Sequence, residues 1–422
     1  MTKKIRYFDY AATTPLSPQV FKLMKPYFTD NFGNPANLYA LGRDAKNVIY
    51  DSLKKITEVL KCKMSEFVFT GSATESDNLA VQGVARANKE FGNKIIVSRV
   101  EHKGILSVCR ALEKEGFKVV ELPVDKNGLL NENQVKEILD DETILVSVTC
   151  TDSETGTIQP IPEIASVIKK FREEHKRSLP YFHTDASQAA AYYDIDVDKL
   201  CVDLMTLSAH KLYGPKGVGG LYVRSGVKIS PIIFGGGQQR RLRSGTENVP
   251  AIVGFGEAVR LASDDRIKES KRLAELRDAL HEGIMKSIPK VALNGHPTNR
   301  LPNFLNVSIL DIEGEALLLH LDEKGIVINT GSACNSESLE PSYVLTALGR
   351  PSEFVHGSLR FTFGKRSTMS DVKYVIKELP PIVQELRKIS PLNLALDHDA
   401  LMAQPKAFVG GQTPHFLRKR NK

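Results

Sequence analysis

Between about residues 66 and 225, runs of β-branched and aromatic residues alternate with segments of helical periodicity. EFVFTGS precedes ATESDNLAVQGVARANKEF, whose apolar residues share one helical face. KIIVSRVEH, KVVELPV and TILVSVTCT are strand-like, PEIASVIKKFREEHKR has helical spacing, and PYFHTDA, DLMTLSAHK and GGLYVR complete the strand set. Strands alternating with helices form a mostly parallel sheet covered on both faces, so we predict an α/β fold with a seven-stranded sheet.

The pattern changes after about residue 260. The charged segment SDDRIKESKRLAELRDALHEGIM is followed by NFLNVSIL, GEALLLHLDEKG, the region around Cys334, SLRFTFG and a final long helix. Strands and helices segregated in this way are typical of a smaller α+β domain. We therefore predict a large domain over residues 16–258 and a small one built from 1–15 and 259–390. Residues 391–422 are expected to form a flexible basic tail.

The net charge of +7 is concentrated near the end of the sequence. From Pro405 onward there are five basic residues and no acidic one, which leaves +2 for the rest of the chain. A nearly balanced body does not indicate a polyanion groove, so no direct nucleic-acid binding is expected. No apolar run approaches the ~18 residues that span a membrane, and the first residues lack the apolar core of a secretory signal. We expect a cytoplasmic protein without membrane contact.

Cys334 differs from the other four cysteines in its neighbours. The cysteine count is odd and no CxxC pair occurs, so neither a disulfide framework nor a structural zinc site is expected. The other four lie in apolar contexts typical of inert core thiols, whereas Cys334 lies in TGSACNS, among small polar residues. This context predicts an accessible loop thiol, which reacts where a neighbouring group favours the thiolate.

Several polar residues follow the predicted strands directly, at the edge where such sheets bind ligands. Ser72-Ala73-Thr74 opens a helix, whose free N–H groups suit a phosphate. His102 and Asp185 each end a strand, and Lys211 ends DLMTLSAHK with its stem beside an apolar run. A lysine in that position can lose solvation and become a nucleophilic amine. Taken singly, such features are more often a structural helix cap or an ordinary surface or core residue than a functional group.

Together these residues match the requirements of one cofactor. A phosphate cradle, a carboxylate for a protonated ring nitrogen and an amine that forms a Schiff base are the parts that pyridoxal 5'-phosphate (PLP) needs. With the ring nitrogen protonated, the cofactor can accept the electron pair released at a substrate Cα. An imidazole on the ring face would orient it.

The motifs in order resemble those of one known family over about residues 5 to 390. They are FDYAATTPLSP, FGNPAN, TGSATESDNLA, VEHKGI, ETGTIQPI, FHTDASQ, SAHKLYGPKG, GGGQQRRLRSGTEN, TGSACNSESLEPSYVLTALG and SLRFTFG. In this order and spacing they resemble the cysteine desulfurases, PLP-dependent enzymes of the class V aminotransferase family. The resemblance implies fold type I of the PLP-dependent transferases and release of sulfur from L-cysteine, giving L-alanine.

The resemblance also implies roles for residues around the cofactor. Lys211 would attach it, Asp185 would pair with the pyridinium nitrogen, Gln188 would bond the ring hydroxyl and His102 would stack on the ring and relay protons. Ser153 stands where the family has a ring-contacting asparagine. The phosphate would be held by Ala73, Thr74, Ser208 and His210.

Three further residues receive roles from the resemblance. Thr246, in RSGTEN, would reach the phosphate across a dimer interface, which implies a homodimer. Arg360, in SLRFTF, would clamp the substrate carboxylate, because a guanidinium fork matches that planar anion. Asn34, in GNPAN, would lie nearby.

Cys334 would be the catalytic nucleophile. Its thiolate would attack the substrate sulfur, and the resulting persulfide would be passed to an acceptor. The segment resembles that of the subgroup serving iron–sulfur assembly, so the expected acceptors are an iron–sulfur scaffold protein or a tRNA-thiolation partner. Cys334 would then be a transient iron–sulfur ligand shared with the scaffold, and ISPL (Ile389 to Leu392) and the tail lie where that subgroup docks its scaffold.

One position departs from the family pattern. Before ETG the family has two asparagines, whereas this chain has Asp152-Ser153. The serine hydroxyl can donate a hydrogen bond but reaches less far, so we predict modestly weaker cofactor binding. Asp152 is expected to add negative charge near the site.

Two alternatives remain open on the sequence alone. The same scaffold could support an aminotransferase or a selenocysteine lyase, and a transaminase would need no loop thiol. The chain could also bind PLP yet act mainly as a scaffold for assembly partners.

Overall fold

The structure is a computed structural model that describes residues 4–330 and 341–390. Its strands are β1 (Arg6–Tyr7), β2 (Phe67–Thr70), β3 (Lys94–Ser98), β4 (Lys118–Leu122), β5 (Thr143–Ser147), β6 (Tyr181–Asp185), β7 (Leu204–Ser208), β8 (Gly219–Val223), β9 (Val291–Leu293), β10 (Phe304–Ile309), β11 (Ile326–Val327) and β12 (Ser358–Thr362). Its α-helices are α1 (Pro18–Met24), α2 (Pro26–Thr29), α3 (Ala40–Leu60), α4 (Ala73–Ala87), α5 (Lys103–Lys114), α6 (Glu132–Ile138), α7 (Ile161–Glu174), α8 (Val197–Leu200), α9 (Val249–Ser287), α10 (Gly314–Glu323), α11 (Tyr343–Ala347), α12 (Ser352–His356) and α13 (Met369–Ile389).

The large sheet has seven strands in the order β2-β8-β7-β6-β5-β3-β4. The pairs from β4 through to β7 are parallel, and β8 runs antiparallel to both of its neighbours. Every residue of β5, β6 and β7 is buried, as expected for strands with helices on both faces. The predicted α/β fold with a mostly parallel seven-stranded sheet is therefore confirmed.

The strand directions decide where the polar residues lie. Because β3, β5, β6 and β7 are mutually parallel, their carboxyl ends meet at one edge of the sheet. β2 also points toward this edge, since both β2 and β7 are antiparallel to β8. The helix α4 begins three residues after β2, and α5 begins five residues after β3, so both helix starts lie at the same edge.

A second group of elements is built from the first residues and the later part of the chain. β9, β10 and β12 form an antiparallel sheet, and β1 pairs in parallel with β11. Phe8, Val307, Phe361 and Leu379 contribute to a hydrophobic core separate from that of the large sheet. The smaller α+β arrangement expected after residue 260 is thus present, with the first strand joined to it.

The long helix α9 connects the two cores. Its first turns, including Phe255 and Val259, pack into the core of the large sheet, whereas Leu273, Leu280 and Ile284 pack into the second core. The sequence pattern predicted a helix only from residue 263, because the first turns are buried on most sides and lack a polar face. The proposed boundary after residue 258 falls inside α9, and the division into domains stays a prediction.

Among residues 4–330 and 341–390, no helix combines the length and the apolar character needed to cross a membrane. The expected basic tail, 391–422, lies outside the described residues.

Candidate active site

A cavity of about 250 Å³ opens at the carboxyl edge of the large sheet. Its lining residues are Ser72, Ala73, Thr74, His102, Thr149, Thr151, Ser153, Asp185, Ser187, Gln188, Ser208, His210 and Lys211. Ten of these were singled out from the sequence: Ser72, Ala73, Thr74, His102, Ser153, Asp185, Gln188, Ser208, His210 and Lys211. Residues separated by more than a hundred positions are therefore brought together by the parallel strands.

The amino-terminal end of α4 forms one wall of the cavity. Ser72 caps the helix by accepting a hydrogen bond from the Glu75 N–H at 3.1 Å. The N–H groups of Ala73 and Thr74 have no acceptor among the residues that the structure describes. Gly219 of β8 lies directly below, where a Cβ atom would come within 2.8 Å of the Ala73 nitrogen. Two free donors and the positive end of a helix dipole make this wall suitable for a phosphate.

The end of β7 presents a lysine to the cavity. The Lys211 amine donates to the backbone carbonyls of Ala11 and Ala12, the second at 2.9 Å. The neighbouring His210 shares a hydrogen bond of 3.1 Å between its Nδ1 and the Thr13 hydroxyl. Burial lowers the pKa of His210 to about 4, and the charges of nearby lysines add to the shift. The imidazole is therefore neutral at physiological pH, and the FDYAATTP segment fixes both residues.

The end of β6 presents a carboxylate. Asp185 is 8% exposed, and its Oδ1 accepts the Ser187 N–H at 2.8 Å. Two further acids, Asp77 and Glu101, are completely buried behind the cavity. Burial, followed by the charge of Asp185, raises the pKa of both well above its usual range. Of these three acids, Asp185 is the one that lines the cavity.

His102 borders the cavity at the start of α5. Its Nδ1 accepts the Gly104 N–H at 3.1 Å, so the neutral ring carries its proton on Nε2. Removal from bulk water lowers the pKa of His102; the Asp185 charge opposes this shift, and the Lys211 and Lys103 charges add to it. The neutral ring that borders the cavity thus carries its N–H group on Nε2.

Arg360 lies beside the cavity rather than in its lining. Its Nη2 pairs with Asp9 Oδ1 at 2.8 Å, and its Nη1 donates to the Ser153 carbonyl at 2.7 Å. Asn329 donates to the other Asp9 oxygen at 3.1 Å. The buried Arg360 Nε has no hydrogen-bond partner among the described residues. Asp9 was missed in the sequence analysis, because nothing local marks a carboxylate whose partner is 351 positions away.

Asp152 is not among the residues that line the cavity, and its carboxylate is bonded within its own turn. Its Oδ1 accepts the Glu154 and Thr155 N–H groups at 2.9 and 2.6 Å, and its Oδ2 accepts the Thr157 N–H at 3.1 Å and the Thr155 hydroxyl. A carboxylate with four donors is fully engaged in shaping its own turn. Nothing in the residues around Asp152 indicates this structural use of its carboxylate.

The remaining predicted site residues lie in different places. Gln188 lines the cavity, and its Nε2 donates to the Ala11 carbonyl at 3.0 Å. Asn34 is half-buried outside the lining, and its Oδ1 accepts the Ala36 N–H at 2.9 Å. Thr246 is exposed and also outside the lining. Cys334 lies outside the described residues, so its roles as nucleophile and as transient metal ligand stay predictions.

Within the described ranges, no group of three or more His, Cys, Asp or Glu side chains is arranged to hold a metal ion.

Comparison with known proteins places these features in context. The model of the family described as "Aminotransferase class-V" matches residues 6–375. The chain is 49% identical over 389 residues to a protein named cysteine desulfurase IscS from Methanosarcina thermophila, which covers 92% of this chain and 94% of that protein. A similar relative, from Dictyoglomus turgidum, is 46% identical over 389 residues, with 92% and 97% covered.

Solved structures give the same result. A NifS-like protein superposes with a TM-score of 0.85 at 34% identity and covers 91% of this chain and all of that chain. A structure titled "SspA in complex with cysteine" superposes with a TM-score of 0.73 at 36% identity, with 86% and 99% covered.

Proposed function

Because the chain belongs to the class V aminotransferase family and, within it, to the cysteine desulfurases, we propose that it uses PLP to take sulfur from L-cysteine and holds that sulfur on Cys334. The products are L-alanine and an enzyme persulfide. The observation that carries the proposal is the convergence on one cavity of a helix N-terminus, the Asp185 carboxylate and the Lys211 amine. The three features suit three groups of the cofactor: the phosphate, the ring nitrogen and the aldehyde that forms a Schiff base.

The cavity residues fit PLP. The unpaired N–H groups of Ala73 and Thr74 suit its phosphate, and Ser208 and His210 complete that end. The hydroxyls of Thr151 and Ser187 are buried in the lining and have no partner among the described residues, so each can form a hydrogen bond with a bound molecule. When bound, PLP accepts the electron pair released at the substrate Cα.

The residues of the sheet edge have separate tasks. The Lys211 amine, which lines the cavity, would attach the cofactor and would serve as the base for the substrate Cα proton. Asp185 would stabilise a proton on the ring nitrogen, since its carboxylate lines the cavity at the end of β6. His102 can shuttle a proton through Nε2, because its Nδ1 is engaged with Gly104.

The substrate carboxylate is assigned to Arg360. Its guanidinium is already oriented by Asp9 and Ser153, and its Nε has no partner among the described residues. An arginine held in this way binds a planar carboxylate with little loss of side-chain entropy.

Cys334 supplies the nucleophile. Its thiolate forms a bond to the substrate sulfur while the carbon–sulfur bond breaks, and the electron pair of that bond remains on the substrate carbon. Protonation of this carbon gives alanine, so no external oxidant or reductant is needed. Reduction or transfer of the persulfide then restores the thiol.

We propose further that the enzyme works as a homodimer in the cytoplasm and delivers sulfur to an iron–sulfur scaffold protein or another acceptor. Large apolar side chains are exposed on the α1–α3 region and near residue 234, including Phe28, Phe32, Leu38 and Phe234. Apolar surface of this extent supports a protein interface. Thr246 is exposed as well, which suits a residue that completes a partner's site.

The proposed activity is tested by an anaerobic assay. PLP-loaded protein is incubated with L-cysteine and dithiothreitol, and alanine and sulfide are quantified. We expect equal amounts of the two products from the wild type and neither from Cys334→Ala. Cys201→Ala, which removes an exposed thiol elsewhere, should match the wild type. A Cys334→Ala variant that still released both products would contradict the proposal.

A further inference from the structure

Glu154 lies beside the cavity wall and is almost fully buried, at 5% exposure. It follows Ser153, which lines the cavity. Its Oε2 accepts a hydrogen bond from the Ser342 hydroxyl, and Ser342 is itself 2% exposed. Ser342 caps α11, because its Oγ also accepts the Leu345 N–H at 3.1 Å. The Glu154 carboxyl thus reaches the start of α11, 188 positions away in the chain.

The backbone around Glu154 is held equally tightly. Its N–H donates to Asp152 Oδ1 at 2.9 Å, and its carbonyl accepts from Asn306 Nδ2 of β10 at 3.1 Å. The preceding carbonyl, of Ser153, accepts from Arg360 Nη1 at 2.7 Å. A displacement of Glu154 would therefore be transmitted both to Arg360 and to the lining of the cavity.

We propose that Glu154 is a positioning residue for desulfuration, which joins the start of α11 to the wall that holds Ser153 and Arg360. The inference rests on the proposed function. Ser342 follows Cys334 by eight residues in the sequence, and the Glu154–Ser342 hydrogen bond holds the first residue of the α11 start in place. Glu154 therefore contacts the start of α11 through Ser342, and its neighbour Ser153 contacts Arg360. A pair that only stabilised the fold would not connect these two parts of the site.

The charge environment supports this role. Burial is the largest cause that raises the pKa of Glu154 to about 7, and the Asp152 charge adds to this shift. The Ser342 hydrogen bond and the charges of Arg360 and Lys103 oppose it. These groups come from α5, β12, the 152–157 turn and the residue before α11. The carboxyl therefore titrates in the working range, and the ionised form is the stronger acceptor for the Ser342 hydroxyl.

A matched pair elsewhere in the chain provides the control. Glu66 Oε1 accepts from the Ser225 hydroxyl at 2.7 Å and from the Ser225 N–H at 2.8 Å. Glu66 is 7% exposed, comparable to Glu154, and neither Glu66 nor Ser225 lines the cavity. The chemistry is the same, but the pair has no link to Arg360 or α11.

The test compares Glu154→Ala, Glu154→Gln, Ser342→Ala and the double variant with Glu66→Ala. We expect kcat/KM for L-cysteine to fall about tenfold or more in Glu154→Ala and less in Ser342→Ala, with non-additive effects in the double variant. Glu154→Gln keeps an acceptor for Ser342, so it should restore most of the activity and lose the part of the pH profile near pH 7. Glu66→Ala should leave kcat/KM unchanged.

Two further readouts separate positioning from loss of the cofactor or of the fold. The absorbance spectrum of bound PLP should be retained in all variants, and hydrogen exchange at the Leu345 amide should accelerate in Ser342→Ala and Glu154→Ala. If the wild type is active and kcat/KM is unchanged in both Glu154→Ala and Ser342→Ala, the role of Glu154 is overturned and the proposed function is not. A wild type that released no alanine from cysteine would overturn the proposed function, and this role with it.

Discussion

The two sides of the cavity are built differently. On the sheet side, Asp185 is the last residue of β6, Lys211 follows the end of β7 by three residues, and Ala73 opens the helix that follows β2. On the arginine side, Arg360 depends on Asp9 and Ser153, which lie 351 and 207 positions away. The first side is made from local strand-to-helix transitions, whereas the second is made from pairs that exist only in the folded chain.

This difference assigns different consequences to substitution. A change on the sheet side removes a group that takes part in the chemistry and leaves its neighbours in place. A change on the arginine side releases polar partners in a buried setting, where an unsatisfied donor or acceptor costs about 1–3 kcal/mol. We therefore expect sheet-side variants to lose kcat and arginine-side variants to lose substrate affinity or stability.

The largest effect is expected for Lys211→Ala. Removal of the amine leaves no group to attach the cofactor or to take the Cα proton, so turnover should fall by about a thousandfold or more. Single-turnover alanine formation measures it. Lys216→Ala, an exposed lysine five residues later, should retain full activity. Comparable turnover in Lys211→Ala and the wild type would remove the distinction between the two sides.

Arg360→Lys should act mainly on KM. A lysine cannot bind Asp9, Ser153 and a carboxylate together, so KM for L-cysteine should rise about 10- to 100-fold with a smaller change in kcat. Arg350→Lys is the control, because half-buried Arg350 donates to the Leu293 carbonyl and does not line the cavity. A fall in kcat at unchanged KM would place Arg360 in the chemistry instead of in substrate binding.

Glu154 predicts a pH dependence of stability with a defined sign. Its folded pKa of about 7 exceeds the ordinary carboxyl value, so between pH 4.5 and 7 the folded state holds a proton that the unfolded state has lost. Stability contributed by this proton falls as pH rises through that window, by up to roughly 3 kcal/mol. Urea unfolding of the wild type and of Glu154→Gln between pH 5 and 8 measures this effect. As pH rises, the free energy of unfolding of the wild type should fall relative to that of the variant.

Glu66→Gln sharpens the same measurement. Burial opposes ionisation of Glu66, but hydrogen bonds from Ser225 and Lys63 leave its pKa lowered overall. Its contribution is present above the unfolded pKa and lost only as pH falls below it. The stability difference between wild type and Glu66→Gln should therefore be flat from pH 5 to 8. If the stability difference changed with pH equally for Glu154→Gln and Glu66→Gln, the raised pKa of Glu154 would not be its cause.

The smallest effect is expected for Ser153→Asn. The longer amide should reach a ring that the serine hydroxyl contacts less well, so PLP affinity should rise a few-fold, on the order of 1 kcal/mol. An absorbance titration of the apoenzyme gives the dissociation constant. Unchanged affinity would mean that the Asp152-Ser153 departure has no bearing on the cofactor.

The sequence was informative where structure is local. The strands that became β2 to β8 and the residues that follow them were identifiable from periodicity, because parallel strands bring their carboxyl ends together whatever the details of packing. The first turns of α9 were missed, since a helix start buried on most sides has no polar stripe.

Long-range pairs could not be read from the chain. Nothing near Asp9 indicates Arg360, and nothing near Ser342 indicates Glu154. Asp152 was expected to add charge at the site, but only the folded turn places four donors around its carboxylate. The Asp152 contacts are local to one turn, whereas the Asp9–Arg360 and Glu154–Ser342 pairs depend on where distant segments pack, and periodicity encodes neither.

The most direct test of the central claim is to locate the transferred sulfur. The PLP-loaded enzyme is given L-cysteine without a reductant for a single turnover, and its peptides are mapped by mass spectrometry alongside quantification of alanine. We predict one additional sulfur atom on the peptide that contains Cys334 and an equal amount of alanine. Alanine formed without added sulfur on Cys334, or sulfur found on Cys201 instead, would contradict the account.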